Sequence, residues 1–480
     1  MAAQKLDTVC NLPLVVKSGE GEYGAVYIVK DEKGHMKALK ITSKYGEEIR
    51  VKHGITNIME IDVLSRLRHP NLMYAEKIIL NTDCPTGYAI QMPIAAPFEV
   101  YRDPNVAIDT DIFYKLACGL LFLHKNNILH MDFNSSNIML GDNYNPLIID
   151  FGMSHWTEDV DKGFKSYELY YSYTRRPIEN LKGSSLYSSA SDVWALGAAL
   201  FLSLTGYAFG DYTSEEKMLE WLEQNIVPPI TRKIVIQGSV NKRLKDASRE
   251  HKSNFVDLFC KIFEPDPTDR ITLPELLTHP LFDIDGKSRQ IIDGTVNLVP
   301  GPRDSLLTES KYELVDKSIK ICQAIKMFNT KVLLDIDIKY QVIEKEEFLV
   351  VDLVYRTLHL TFNMKTSDEI NAYCIACALI PIMYFNYREN QATLGDIMKF
   401  PIVQPNTLTP QNIINIQEII IFELQGLIYR APIYTPTLDL RDIALLHRYV
   451  LLDTDAYLNY NSDTLKIINA KLRRPRRTVV

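Results

Sequence analysis

Two short stretches set the strongest limit on what this chain can be: His130-Met-Asp132-Phe-Asn134-Ser-Ser-Asn137 and, thirteen residues after Asn137, Asp150-Phe151-Gly152. Between them they hold two acids and an amide, spaced so that two loops can converge on one pocket. Phosphoryl transfer to a hydroxyl asks for that set. One carboxylate orients the attacking hydroxyl and takes its proton, while the other carboxylate and an amide oxygen hold a divalent cation on the phosphates. An isolated Asp-Phe-Gly arises easily by chance; the two stretches in this order and spacing do not.

Upstream, the chain reads as strand, glycine turn and strand through Ser18-Gly19-Glu20-Gly21-Glu22-Tyr23-Gly24-Ala25-Val26. Glycines let a backbone fold tightly over a polyphosphate and bring its N–H groups close. A dinucleotide fold would continue from such glycines into a helix, but β-branched residues follow here. Ala38-Leu-Lys40 ends the next alternating run, and Glu60 lies in Met59-Glu-Ile-Asp-Val-Leu64, whose apolar spacing predicts a helix.

Taken together these stretches resemble the protein kinases, whose motifs are a glycine-rich loop, a strand lysine, a helix glutamate, H-R-D-x-x-x-x-N and D-F-G. The resemblance implies an α+β two-lobed protein kinase fold that uses ATP and Mg²⁺. Asp132 would be the catalytic base, Lys40 the grip on the α- and β-phosphates, and Glu60 its ion-pair partner. Asn137 and Asp150 would hold the metal. Residues Ser18 to Val26, with Ala38, would line the nucleotide, and the backbone near Met92 and Ile94 would meet the adenine edge. Gln91 is placed at the back of that pocket.

The resemblance continues in order. A helix is predicted over 111–125, with Ile112, Leu116, Leu120 and Leu123 along one face. Ser172 stands seven residues before Glu179, where serine/threonine kinases keep a hydroxyl in the substrate loop. Asp192, in Asp192-Val-Trp-Ala-Leu-Gly197, would brace the catalytic loop, and Arg270 would pair with Glu179. Two positions depart from the pattern. Met131 replaces the arginine that receives an activating phosphate, so the segment 150–179 is expected to need none. Asn134 replaces a lysine that touches the γ-phosphate, which removes a positive charge from the transition state. These departures are what would favour a catalytically weak or silent scaffold; intact Lys40, Asp132, Asn137 and Asp150 oppose it. The segment 150–179 and the Glu179–Arg270 pair disfavour a small-molecule kinase.

The kinase resemblance covers 14–283, and at 480 residues the chain has room for more. After an aperiodic linker at 284–310, helices are predicted near 312–328, 346–360, 367–385, 392–400 and 410–427. Val351-Asp-Leu-Val-Tyr-Arg-Thr-Leu358, the small-residue run 369–380 and Ile416-Gln-Glu418 resemble the cyclin box, an all-α domain assigned to 311–440. Thr56-Asn-Ile-Met-Glu60 resembles the cyclin-contacting helix of cyclin-dependent kinases. Regulation in cis is therefore expected, the cyclin-like part setting the position of Glu60; action in trans on another kinase is the alternative. Met383 stands where a cyclin would carry its kinase-docking lysine, so that docking pair is incomplete.

The expected domain plan is an extension over 1–13, a small lobe over about 14–91, a hinge at 92–97 and a large lobe over 98–283. Then come the linker, the cyclin-like part, and a helical extension with a basic tail at 441–480. A net charge of −7 gives no pull toward nucleic acid, and no apolar run approaches the ~18 residues of a membrane span. The seven scattered cysteines suggest no disulfide framework, and Cys374-Ile-Ala-Cys377 reads as core helix rather than a zinc site. An intracellular kinase of protein substrates, cytoplasmic or nuclear, is expected. A kinase–cyclin fusion rich in Ile, Asn and Tyr would suit a large DNA virus and its host cell.

Overall fold

The computed structural model describes residues 8–20, 24–42, 58–80, 88–98, 110–166, 170–205, 209–210, 213–283 and 287–297. In the C-terminal part it describes 349, 353–354, 356–357, 360–361, 364, 366–385, 394 and 408–428. They fall into two units: those within 1–66, 75–92 and 296–480, and those within 67–74 and 93–295.

The first unit is built on an antiparallel sheet. Its strands are β1 (Thr8–Val9), β2 (Leu12–Glu20), β3 (Gly24–Lys30), β4 (Met36–Thr42), β5 (Lys77–Leu80) and β6 (Tyr88–Met92), in the order β1-β2-β3-β4-β6-β5. Strand alternation sorts the side chains. Val26 pairs with Lys40 and Lys40 with Ile90, while Ala38 pairs with Met92, so these residues share one face. Val29, Leu39, Ile41 and Ala89 share the other and form a small apolar core. Helix α1 (Ile58–Arg66) belongs to this unit, and all nine of its residues are buried, including Glu60, Asp62, Ser65 and Arg66.

The second unit is mainly helical: α2 (Thr110–Lys125), α3 (Ser189–Thr205), α4 (Glu215–Asn225), α5 (Pro229–Arg243) and α6 (Arg249–Ile262). The apolar stripe predicted on α2 is real, with Leu116, Leu120 and Leu123 at 0% exposure. Gly197 on α3 is needed for close packing, because a Cβ there would sit 2.2 Å from the Ile262 side chain of α6. Aromatic rings fill the space between these helices, Phe209 stacking on Phe263 at 3.7 Å and Phe201 meeting Phe259 edge-on. Short strands β7 (Ile138–Leu140) and β8 (Pro146–Ile148) pair between Asn137 and Asp150.

The described part of the expected linker, residues 287–297, is tied down by side-chain and backbone bonds. Within the second unit, Arg289 pairs with Asp111 and lies over the Tyr114 ring, and Asp293 pairs with Lys125. Within the first unit, Asn297 satisfies the C-terminal carbonyls of α1: its N–H donates to Arg66 O (2.7 Å) and its Nδ2 to Ser65 O (3.1 Å).

The C-terminal helices α7 (Ser367–Phe385) and α8 (Pro410–Glu423) complete the first unit and pack on each other. Both start on reciprocal caps, Thr366 with Glu369 and Thr409 with Asn412. Cys374 and Cys377 lie on α7, and burial pushes the Cys374 thiol up to about 11. Cys10 corrects the cysteine expectation: it is disulfide-bonded, since scattered spacing says nothing about which thiols a fold brings together. Among the described residues no helix is long and apolar enough to cross a membrane. The predicted segments 312–328 and 441–480 lie outside the described residues.

Candidate active site

The candidate residues fall into two groups, one in each unit. In the second unit the stretch after His130 forms a loop closed on itself. Asn134 caps the 3₁₀ turn Ser135–Asn137: its Oδ1 accepts the N–H groups of Ser136 (2.9 Å) and Asn137 (3.2 Å), and its Nδ2 donates to Asp132 O (3.0 Å). Asn137 Nδ2 donates to Asp132 O at 2.9 Å and to Asp132 Oδ2 at 3.0 Å. Those bonds assign the amide nitrogen inward and leave the Asn137 oxygen for another partner. Burial raises the Asp132 carboxyl above its ordinary range and the Asp150 charge adds to this, while His130 and the Asn137 amide oppose it. Asp150 is exposed and left-handed (φ 59°), with Gly152 N–H directed at its Oδ1 (3.4 Å). Asp150 and Asn137 therefore offer hard oxygens, the donor type that suits Mg²⁺.

Beneath the loop lies Asp192, fully buried on α3. Its carboxylate accepts from His130 N–H (2.8 Å), Met131 N–H (3.0 Å), His124 Nε2 (2.9 Å) and Tyr171 Oη (2.6 Å). Burial works against its charge, but the His124 bond, the electrostatic pull of His124 and His130 and, last, the Tyr171 bond outweigh this and hold the carboxyl below the usual range. The His130 ring completes the brace. It meets Phe133 and Phe151 edge-on and reaches Ile149 O at 3.3 Å.

The segment after Asp150 ends on a bidentate pair. Arg270 Nη1 and Nη2 reach the two Glu179 oxygens at 2.9 and 2.8 Å, and its guanidinium lies 4.8 Å over the Trp194 ring. Ser172 is exposed, its Oγ 2.9 Å from Thr174 Oγ1. Arg176, which sequence reasoning passed over, is buried and donates to Tyr170 O and Tyr171 O. Ser166 is also buried, whereas Tyr167 and Glu168 lie outside the described residues.

In the first unit, Lys40 Nζ and Glu60 form an ion pair, the glutamate almost fully buried. The face that carries Lys40 also carries Val26, Ala38, Ile90 and Met92. Two expectations need correction here. Gln91 pairs with Leu39, so it lies on the opposite face, where its amide meets Glu76; Ile90 is the residue that shares the Lys40 face. Ala25 pairs with Ile41 and also belongs to the opposite face. A one-residue step along a strand reverses the side chain, and motif spacing alone does not fix that phase. Ser18, Gly19 and Glu20 extend β2, and Gly24 opens β3; Gly21, Glu22 and Tyr23 lie outside the described residues. Ile94, in the second unit, is 40% exposed.

Known proteins bear on these observations. Residues 14–282 match the protein kinase domain. Over 282 residues the chain is 28% identical to the probable CTD kinase subunit alpha homolog of Encephalitozoon cuniculi, covering 55% of this chain and 82% of that protein. It is 24% identical over 305 residues to the probable cyclin-dependent kinase 10 of Dictyostelium discoideum, covering 59% of this chain and 79% of that one. The serine/threonine-protein kinase dst2 of the same organism is 25% identical over 331 residues, 65% of this chain but 26% of the relative. With more than half its length matching that family model, and with the family's motifs folded as above, the chain belongs to the protein kinase domain family.

Proposed function

We propose that the chain transfers the γ-phosphate of ATP to serine and threonine hydroxyls of proteins and that its C-terminal helices regulate this activity in cis. The observation that carries the catalytic reading is the join of the Asp132 carboxylate to the Asn137 amide on a loop braced by Asp192. In this reading Asp132 orients the substrate hydroxyl and accepts its proton. Asn137 and Asp150 hold Mg²⁺, which when bound offsets the charge on the phosphate oxygens. Lys40, aligned by Glu60, grips the phosphates. The glycine stretch from Ser18 to Gly24 covers them, with Val26, Ala38 and the backbone at Met92 and Ile94 around the adenine. Ser172 belongs to the substrate loop, which Glu179 and Arg270 anchor. The relatives named as serine/threonine and cyclin-dependent kinases support Ser/Thr specificity.

The cis arm rests on how α1 is covered. Tyr384 of α7 donates its hydroxyl to Asp62 at 2.9 Å, and Arg66 Nε reaches the same carboxylate oxygen at 2.8 Å. The turn after α8 lies against α1 so tightly that a Cβ at Gly426 would fall 2.2 Å from Ser65 Oγ and 2.8 Å from the Ile61 side chain. Segments assigned to a cyclin-like part thus pack on the helix that bears Glu60. A tethered partner acts at an effective concentration on the order of millimolar.

The test is phosphotransfer from Mg²⁺-ATP to protein substrates, with identification of the phosphorylated amino acid. The full-length chain is expected to label serine and threonine, and Asp132→Asn to lose about 10²–10⁴-fold in turnover with its melting temperature unchanged. Labelling of tyrosine alone, or an Asp132→Asn chain as active as the parent, would sink the reading. Gly426→Ala, strained by its φ of +75° as well as crowded, is expected to lower turnover through α1. Unchanged turnover in that variant would remove the cis arm. A silent scaffold is the second reading, favoured by Asn134, whose side chain is committed to the turn and brings no positive charge. Nucleotide binding without any transfer would select it.

A further inference from the structure

Tyr171 has a conformation and a partner that the roles above do not use. Its φ is +57°, a left-handed backbone that side-chain-bearing residues rarely adopt. Such a residue persists only where its surroundings over-determine it. Here two ties do so. Arg176 clamps the carbonyls of Tyr170 and Tyr171 at 3.1 and 3.0 Å while its Nη1 reaches Glu215 at 2.6 Å. The Tyr171 hydroxyl, 5% exposed as a residue, donates to Asp192 Oδ1 at 2.6 Å and lies 3.8 Å from the Met131 sulfur. Asp192 already holds the N–H groups of His130 and Met131 as well as His124, so it does not need a fourth donor to be satisfied. Packing alone would be served as well by phenylalanine. Burial and the Asp192 charge both favour the protonated phenol, which keeps it a donor.

We infer that Tyr171 is a positioning residue for phosphotransfer: its hydroxyl ties the segment that presents the protein substrate to the carboxylate that holds the Asp132 loop. The tie does the work that a phosphate on the segment would otherwise do, with Met131 in place of a phosphate-binding arginine. The next residue is Ser172, so a shift at Tyr171 is transmitted directly to the substrate side. This inference rests on the kinase reading above.

The decisive comparison is full-length wild type against full-length Tyr171→Phe, both treated with phosphatase. Turnover, KM for ATP, melting temperature and amide hydrogen exchange across 128–132 and 170–176 would be read on each. Removing a hydrogen bond to a charged group is expected to lower kcat about 10- to 100-fold. KM for ATP should stay within about twofold, and exchange in both stretches should quicken while the rest of the chain keeps its protection. An unchanged kcat overturns the inference, as does a loss explained wholly by less folded protein. So does a wild type that the phosphatase silences. If the wild type transfers no phosphate at all, the kinase reading fails by itself, and exchange then decides: equal protection in the two proteins overturns the tie, and faster exchange in Tyr171→Phe upholds it.

Discussion

The loop that carries Asp132 and the helix that carries Glu60 are held by opposite means. The loop's polar groups are satisfied inside the second unit, by Asn134 and Asn137 within five residues and by Asp192 from α3 beneath it. The helix draws on near and distant partners: Glu60 pairs with Lys40 and Asp62 with Arg66, while Asp62 also takes the hydroxyl of Tyr384, 322 residues away. Asn297 closes its last carbonyls and Gly426 lies against its flank. The first arrangement makes the chemistry robust to changes elsewhere. The second leaves the helix that bears Glu60 covered by segments from the C-terminal part of the chain.

Removing the centre of the local network should have the largest effect. Asp192→Ala leaves His124 and two buried N–H groups without their acceptor and is expected to lower stability by about 3–5 kcal/mol in urea unfolding. A loss below about 1 kcal/mol would mean that the loop is not held as described. Next comes a group in the same unit that lacks such service. His155 is buried against Phe164, and burial alone pushes its pKa down to about 4. The unfolded chain takes up that proton below about pH 6.5 while the folded chain resists it until about pH 4. Stability from this site is therefore complete above pH 6.5, declines as pH falls through that window, and levels off below it, by about 3 kcal/mol in all. His155→Phe should flatten this component of the urea midpoint between pH 7 and 4.5; an unchanged pH slope would show that the ring titrates normally.

The smallest of the three tests the long-range side. Tyr384→Phe removes one hydrogen bond to a buried carboxylate, about 2 kcal/mol. It should also lower turnover per folded molecule, although Tyr384 belongs to no catalytic motif. If stability falls and turnover does not, the helix is supported by the C-terminal part but not governed by it.

The sequence was most informative where function is written in short spacings. Asp132, Asn137, Asp192 and the Glu179–Arg270 pair could be singled out because their partners sit in motifs of fixed order. The bounds of α7 were also legible, since Thr366 and Glu369 cap a continuous apolar run. What escaped reading was phase and distance. Alternation along β6 exchanges Gln91 for Ile90, a one-residue step to which motif order is blind. Asp62 and Arg66 look like solvated charges in a helix pattern, and only the fold shows them buried against Tyr384. Tyr171 carries no signal because left-handed backbone at a tyrosine is imposed by neighbours, not preferred by the residue.

Gln425 gives the C-terminal part a further consequence. Its side-chain oxygen accepts the N–H of Ile78 at 3.3 Å, and Ile78 lies on β5, an outer strand of the first unit's sheet. An outer strand with open N–H groups is a template on which another chain can add its own strand. The turn after α8 takes up one of those N–H groups, that of Ile78. Gln425→Ala should therefore bare one N–H of that edge, and self-association at rising protein concentration is the measurement that reads its effect.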